Sequence, residues 1–261
     1  VTFQSDPIAD GAIIAVALGS AGILEVLKTT GEIRPQQIAP NFDRNQLIAL
    51  DRAAVRQKFN ASSDSVSNIG LGLAGAYALV DPVLSGFRER SVQAGVVDAI
   101  SYAETASLTL ALTNIVKLAV RRPRPAAYRE AEEHPDDPEW SNASTDSSLS
   151  FFSGHASMTA ALGATATYLA FARAPGTYRP WVTLGLATLV TTVVSVERVR
   201  GGDHFPTDVL AGALAGIGVG VIVPHLHRTE DVQQRRVWVG FTPARERDQL
   251  HGGTLTLSGL L

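Results

Sequence analysis

Apolar residues dominate six stretches of this 261-residue chain for longer than a strand needs, and segments rich in charge, Pro or Gly separate them. Their spacing predicts helices at about 8–28, 65–80, 90–120, 155–173, 180–198 and 206–224. Three hold long uncharged runs: "SMTAALGATATYLAFA" at 157–172, "WVTLGLATLVTTVVSV" at 181–196 and "VLAGALAGIGVGVIVP" at 209–224. A surface helix of a soluble bundle carries a charged stripe opposite its apolar one. These carry none, so they are central helices or they lie in lipid. Each run is shorter than the roughly 20 residues that span a bilayer. Their Gly, Ala, Ser and Thr content, with "GALAG" at 212–216, nevertheless suits close helix contact in a membrane. Asp98 and Glu104, inside the third helix, must then face the interior. The fold expected is all-α, a six-helix bundle embedded in a membrane, with a soluble helical core as the alternative.

Two polar regions interrupt the bundle. Residues 29–64 are expected to form a loop with a short helix. Residues 126–150 are acidic and lack apolar periodicity, which reads as disorder or as a lid over a site. From residue 233 the alternation in "VWVGF" and "TLTLSGL" suggests short strands or an extended surface segment. The organisation is therefore one helical domain over 1–232 and an extended tail over 233–261. A net charge of −3 gives no general attraction for nucleic acid. The lack of cysteine excludes disulfides, thiolate metal sites and a cysteine nucleophile. Met158 is the sole methionine, so loss of an initiator alone and cleavage of a longer targeting segment are both open.

Three polar clusters fall at helix ends. In "KLAVRRPRP" (117–125), Lys117 sits in a last helical turn and two prolines hold Arg124 in an extended stretch. Lys and Arg together make an anion clamp, one a point charge and the other a planar fork. Arg121 and Arg122 read more simply as cations stabilising a helix C-terminus. In "SFFSGHAS" (150–157), Ser153, Gly154 and His155 open a helix whose backbone N–H groups can bind an anion. In "RVRGGDHFPTDV" (198–209), Arg198 closes one helix, and His204 and Asp208 flank the start of the next. Positions i and i+4 share a face, so Asp208 can accept a hydrogen bond from one His204 nitrogen and leave the other free to attack. In an antiparallel bundle all these ends lie together, which makes the turn part of an anion site.

These residues resemble the signature of the type 2 phosphatidic acid phosphatase superfamily, which includes lipid phosphate phosphatases, bacterial class A acid phosphatases and vanadium haloperoxidases. That signature is K-x6-R-P, then P-S-G-H, then S-R-x5-H-x3-D. Lys117, Arg124 and Pro125 match the first part, Ser153, Gly154 and His155 the second, and Arg198, His204 and Asp208 the third. Phe152 replaces the usual Pro and Glu197 the usual Ser; a carboxylate at 197 suits an anion site only by pointing away.

The resemblance implies that Lys117, Arg124 and Arg198 hold phosphoryl oxygens, helped by Ser153 and the Gly154 backbone. It implies that His204 attacks phosphorus, Asp208 orients it, and His155 protonates the leaving alkoxide and then activates water. No metal or cofactor is expected, vanadate should bind as a phosphate mimic, and one neutral and one protonated His should give a bell-shaped pH profile. The substrate expected is a phosphorylated lipid, with a soluble phosphomonoester as the alternative. A vanadate-dependent haloperoxidase is a further reading, in which halide oxidation replaces hydrolysis, although the chain is short for that group. An anion-binding membrane scaffold is the non-enzymatic reading, and two intact histidines weigh against it. The place expected is a bacterial cell membrane with the site toward the periplasm, or a soluble periplasmic protein. Basic residues in 28–58 weigh against a periplasmic site by the positive-inside rule.

Overall fold

The computed structural model describes residues 2–30, 33, 36, 38, 42–134, 136, 144–229, 237–246 and 249–259. The six long helices expected are present as α1 (Pro7–Thr29), α3 (Ser63–Arg88), α4 (Val92–Val120), α6 (Gly154–Arg173), α7 (Arg179–Arg200) and α8 (Pro206–Leu226). Two short ones bring the described helices to eight. One is α2 (Ala49–Arg56), the short helix expected in the first polar region. The other, α5 (Pro125–Glu133), corrects the six-helix expectation: the acidic segment starts as a helix with Pro125 in its first turn and Pro125 and Ala127 buried. Residues 135 and 137–143 of the expected lid lie outside the described residues.

Local chemistry sets the helix ends. Asp6 caps α1, accepting from the Ile8 and Ala9 N–H groups at 3.0 and 3.2 Å. Ser91 caps α4 and Ser153 caps α6 in the same way. At its far end α4 stops on Arg121, whose left-handed φ of 51° turns the chain out before Pro123.

The bundle buries many polar groups beside small apolar ones and leaves large apolar side chains outside. On α4 the buried side chains include Asp98, Ser101, Glu104, Thr105, Thr109, Thr113 and Asn114, while Val92, Val96, Ile115 and Val120 are exposed. The interior groups pair with one another: Thr105 with Thr165 at 3.0 Å, Thr113 with Ser157 at 3.0 Å, and Asp98 with Arg173. Asp81 accepts from Tyr102 at 3.0 Å and pairs with Arg88 and Arg179 at 3.2 and 3.4 Å. Water-facing surfaces do not look like this, whereas a lipid-facing one does, because hydrocarbon offers polar groups no partners. Four helices, α1, α3, α7 and α8, are long and apolar enough to cross a membrane. This is a membrane protein, and α4 and α6, which carry many of the buried hydroxyl groups, pack against those four.

At the centre lies α6, with α3, α4, α7 and α8 around it. Its approach to α8 is set by Gly212, Gly216 and Gly220, four residues apart on one face. A Cβ at Gly216 would sit 2.0 Å from the Ser157 carbonyl oxygen, and one at Gly220 2.2 Å from that of Ala161. The backbones therefore touch where hydrophobic side chains would hold them apart.

The chain divides into two compact units, of which the bundle is Ser5–His227. The smaller unit takes in the chain from Arg228 on together with the described residues 2–4. In it Phe3 and Arg228 form an antiparallel bridge, and Thr229 N–H donates to the Thr2 carbonyl at 3.0 Å. The alternating tail forms β1 (Val237–Glu246) and β2 (Gln249–Gly259), antiparallel, with Val237 opposite Gly259 and an irregularity at Ala244/Arg245.

Gly216→Ala is expected to lower the melting temperature in detergent, with a cost of about 1–3 kcal/mol or more from overpacking. Gly218→Ala, whose Cβ meets nothing within 4 Å, is the matched control and should melt with wild type. Equal melting of all three proteins would contradict this helix contact.

Candidate active site

The end of α4, the turn before α6, the end of α7 and the start of α8 meet at one end of the bundle, joined by α2, α5 and the start of α3. His204 lies between α7 and α8 and is 1% exposed. Its Nδ1 is 2.7 Å from the Ser150 carbonyl oxygen. A carbonyl only accepts, so Nδ1 carries the proton and Nε2 keeps its lone pair.

That arrangement corrects one expectation. Asp208 Oδ2 is 3.9 Å from His204 Nδ1, too far for a hydrogen bond. The Asp208 carboxylate instead accepts from Ser150 Oγ at 2.5 Å, the Phe205 N–H at 2.9 Å and Arg122 Nη1 at 2.6 Å. Ser150 thus stands between them, with its hydroxyl on Asp208 and its carbonyl on His204. The i, i+4 rule fails here because His204 precedes Pro206, the first residue of α8, and lies off the helical path.

Arg122 has a larger role than the helix-end cation expected. Its second nitrogen, Nη2, pairs at 2.8 Å with Asp51, which is buried and comes from α2. Its guanidinium carbon lies 3.9 Å above the Phe205 ring. Thr207 closes the group through its N–H and hydroxyl, both donated to Asp51.

Arg124 and Arg198 face one another across a shared carboxylate, Asp203. Arg124 Nη1 is 2.5 Å from Asp203 Oδ1, and Arg198 Nη2 is 3.1 Å from Asp203 Oδ2. Asp146 pairs with Arg124 at 2.8 Å and Asp64 with Arg198 at 2.9 Å. Lys117, in the last turn of α4, is half-buried and among the charges acting on His204. Ser153 donates its backbone N–H to the Asp208 carbonyl at 3.1 Å, which ties the start of α6 to α8. Gly154 is the first residue of α6, and a Cβ there would meet Thr113 of α4 at 3.4 Å. His155 Nε2 is 2.7 Å from the Asn68 amide oxygen on α3. Glu197 points away from the arginines, accepting from Ser63 Oγ at 2.6 Å and pairing with Arg200 at 2.8 Å.

Burial is the main reason that the His204 pKa falls well below its usual 6.5, and the charges of Lys117, Arg124 and Arg198 push the same way. Burial also raises the Asp203 carboxyl, against the pull of the two guanidinium groups. A neutral imidazole with a free Nε2, two arginine forks and a lysine can hold a tetrahedral anion and attack its centre. Ser150, Asp51, Asn68 and Asp203 complete this set and were not singled out from sequence. Asp203 lies inside the signature beside His204, the others outside its matched positions.

A family model described as the PAP2 superfamily matches residues 98–231, just over half of the chain. The chain belongs to the PAP2 superfamily. No curated protein sequence matches this PAP2 protein. A solved structure similar to it is the crystal structure of a transmembrane PAP2-type phosphatidylglycerolphosphate phosphatase from Bacillus subtilis. The two are 17% identical, with a TM-score of 0.49, over 85% of this chain and 98% of that one.

Two outcomes are expected at this site. In the nitrogen-15 imidazole spectrum His204 should remain the neutral Nδ1–H tautomer at mildly acidic pH; a midpoint at the ordinary 6.5 would contradict the geometry. Since the unfolded chain takes that proton near 6.5 and the fold does not, the His204 contribution to stability should fall as pH drops through 6.5. Asp203→Asn should tighten inorganic phosphate binding roughly tenfold by removing a negative charge from both arginines. Weaker binding in that variant would mean that the carboxylate chiefly positions the forks.

Proposed function

We propose that this PAP2 protein hydrolyses a lipid phosphate or diphosphate through a phosphohistidine on His204. The observation that carries the reading is the Ser150 carbonyl on Nδ1, which leaves the Nε2 lone pair of a buried imidazole among three cationic side chains. Nε2 attacks phosphorus as the ester P–O bond breaks, and the leaving oxygen takes a proton from His155. His155 then takes a proton from water, the hydroxide attacks phosphorus, and the P–N bond breaks to return His204 and release phosphate. Lys117, Arg124 and Arg198 stabilise charge on the equatorial oxygens, with Ser153 and the N-terminus of α6 beside them. In this reading the three side-chain cations supply the charge that phosphoryl transfer needs, so the step itself takes no metal. Vanadate competes for the same cradle.

The lipid part of the proposal rests on the bundle. Its outer face is apolar, which keeps this end at a membrane surface where a lipid headgroup lies. Between α3, α6 and α7 is a cavity of about 210 Å³ lined by Leu73, Tyr77, Thr159, Leu162 and Val190. Thr159 donates to the His155 carbonyl at 2.8 Å, so this apolar space opens one helical turn from the proposed acid. A hydrocarbon chain on the leaving group has room there.

The test is phosphate release in EDTA by wild type and His204→Ala, in detergent, from phosphatidate, phosphatidylglycerophosphate, undecaprenyl diphosphate and p-nitrophenyl phosphate. Release strongest from one lipid and abolished in the variant is the expected result. Release from no substrate, or equal release by both proteins, would overturn the proposal.

A further inference from the structure

Asp10, Glu104 and His227 meet inside the larger unit, at the end of α8 away from His204. The 21 residues of α8 put about 30 Å between the two sites at 1.5 Å per residue. The three come from different segments: the first turn of α1, the middle of α4 and the C-cap of α8. They are 7%, 4% and 8% exposed. One donor atom of each lies within 4.8 Å of the other two. His227 Nε2 is 2.8 Å from Glu104 Oε2, and Asp10 Oδ2 accepts from the Asp6 N–H at 2.8 Å.

The second Glu104 oxygen points to a ligand. Oε1 is buried and, among the described residues, no hydrogen bond reaches it. A buried carboxylate oxygen without a donor is costly, and a second carboxylate beside it adds repulsion. One imidazolium can neutralise one of the two acids. A divalent cation would neutralise both and use the orphaned oxygen.

We propose that Asp10, Glu104 and His227 bind a divalent metal ion of the Zn²⁺ class, as a structural site separate from the phosphoryl site. Imidazole nitrogen with carboxylate oxygens favours Zn²⁺ over Mg²⁺ or Ca²⁺, which take oxygen donors alone. Zinc sits about 2.0–2.2 Å from such atoms, so side-chain shifts of under about 1 Å close the set. The ion ties α1 to the bundle. That helix packs principally on α4, through Ala17 and Ala21 against Ala111, a contact of small side chains. A bond from Asp10 to Glu104 and His227 anchors its first turn to α4 and α8 together.

The experiment is elemental analysis of the full chain purified in detergent, then chelator removal and titration with Zn²⁺, Mn²⁺ and Mg²⁺, followed by melting temperature. Stoichiometric Zn²⁺ is expected, with a melting temperature that rises on its return. Glu104→Gln and His227→Ala should each bind at least about tenfold more weakly, since even indirect partners of a metal site matter that much. His204→Ala should bind as wild type does. Where Glu104→Gln fails to fold, the wild-type zinc absorption edge decides, with one imidazole and carboxylate oxygens expected. Three results would overturn the proposal: no stoichiometric metal, Zn²⁺ held equally by Glu104→Gln, or Zn²⁺ lost only in His204→Ala, which marks binding at the phosphoryl site. Phosphate release reads the other end of the bundle, so the metal site and the proposed hydrolysis can fail separately.

Discussion

The guanidinium of Arg122 holds the His204 end of the bundle in place. It is shared between two buried carboxylates from different helices, Asp208 at 2.6 Å and Asp51 at 2.8 Å, and it lies on the Phe205 ring. Removing one partner from such a group leaves charge uncompensated and costs about 3–5 kcal/mol. The consequence reaches His204 through a short chain of contacts. Arg122 fixes Asp208, Asp208 takes the Ser150 hydroxyl, and the Ser150 carbonyl holds the proton on His204 Nδ1. The tautomer of His204 therefore depends on a guanidinium that does not touch it. The same charge docks α2, whose buried Asp51, Ala54 and Val55 give that short helix its seat beside Phe205.

This charge network suits a bundle built inside out. In lipid there is no hydrophobic gain from bringing two apolar helices together, so contact comes from close backbones and interior hydrogen bonds. The glycine face of α8 against α6 supplies the first, and the Ser and Thr pairs among α4, α6 and α8 supply the second. Thr165 serves both, pairing with Thr105 and donating to the Gly220 carbonyl at 3.1 Å. Outer helices keep high hydropathy, while α4 carries acids and hydroxyls inside, several of them paired with neighbouring helices.

The long helices were legible because an uncharged run bounded by Pro, Gly or charge has few other outcomes. The short α5 was not, since "AAYREAEE" shows no apolar period; Pro125 starts it, and Ala127 with a largely covered Tyr128 seats it. At the site, the signature positions could be located from spacing, because connectivity alone brings those helix ends together. Their partners could not. Ser150 acts through a backbone carbonyl, which any residue has. Asn68 and Asp51 lie far away in sequence, and nothing local marks them. Arg122 looked like its neighbour Arg121, and only tertiary placement separates a helix-end cation from the centre of a network. The Glu197 departure is explained by Ser63 and Arg200, which hold its carboxylate away from the arginines.

The cations at this end do two things at once. Lys117, Arg124 and Arg198 are the groups suited to an anion, and the same charges add to burial in keeping the His204 imidazole unprotonated. A nucleophile ringed by positive charge loses its proton readily and keeps its lone pair. Asp203 moderates the same field. By bridging both arginines it holds the forks apart at a fixed spacing and lowers their mutual repulsion, and an incoming anion must exchange with it. Asp64 and Asp146 supply a second carboxylate each, to Arg198 and Arg124 in turn. The resting site is therefore balanced in charge, each of the two guanidinium groups being paired with two carboxylates.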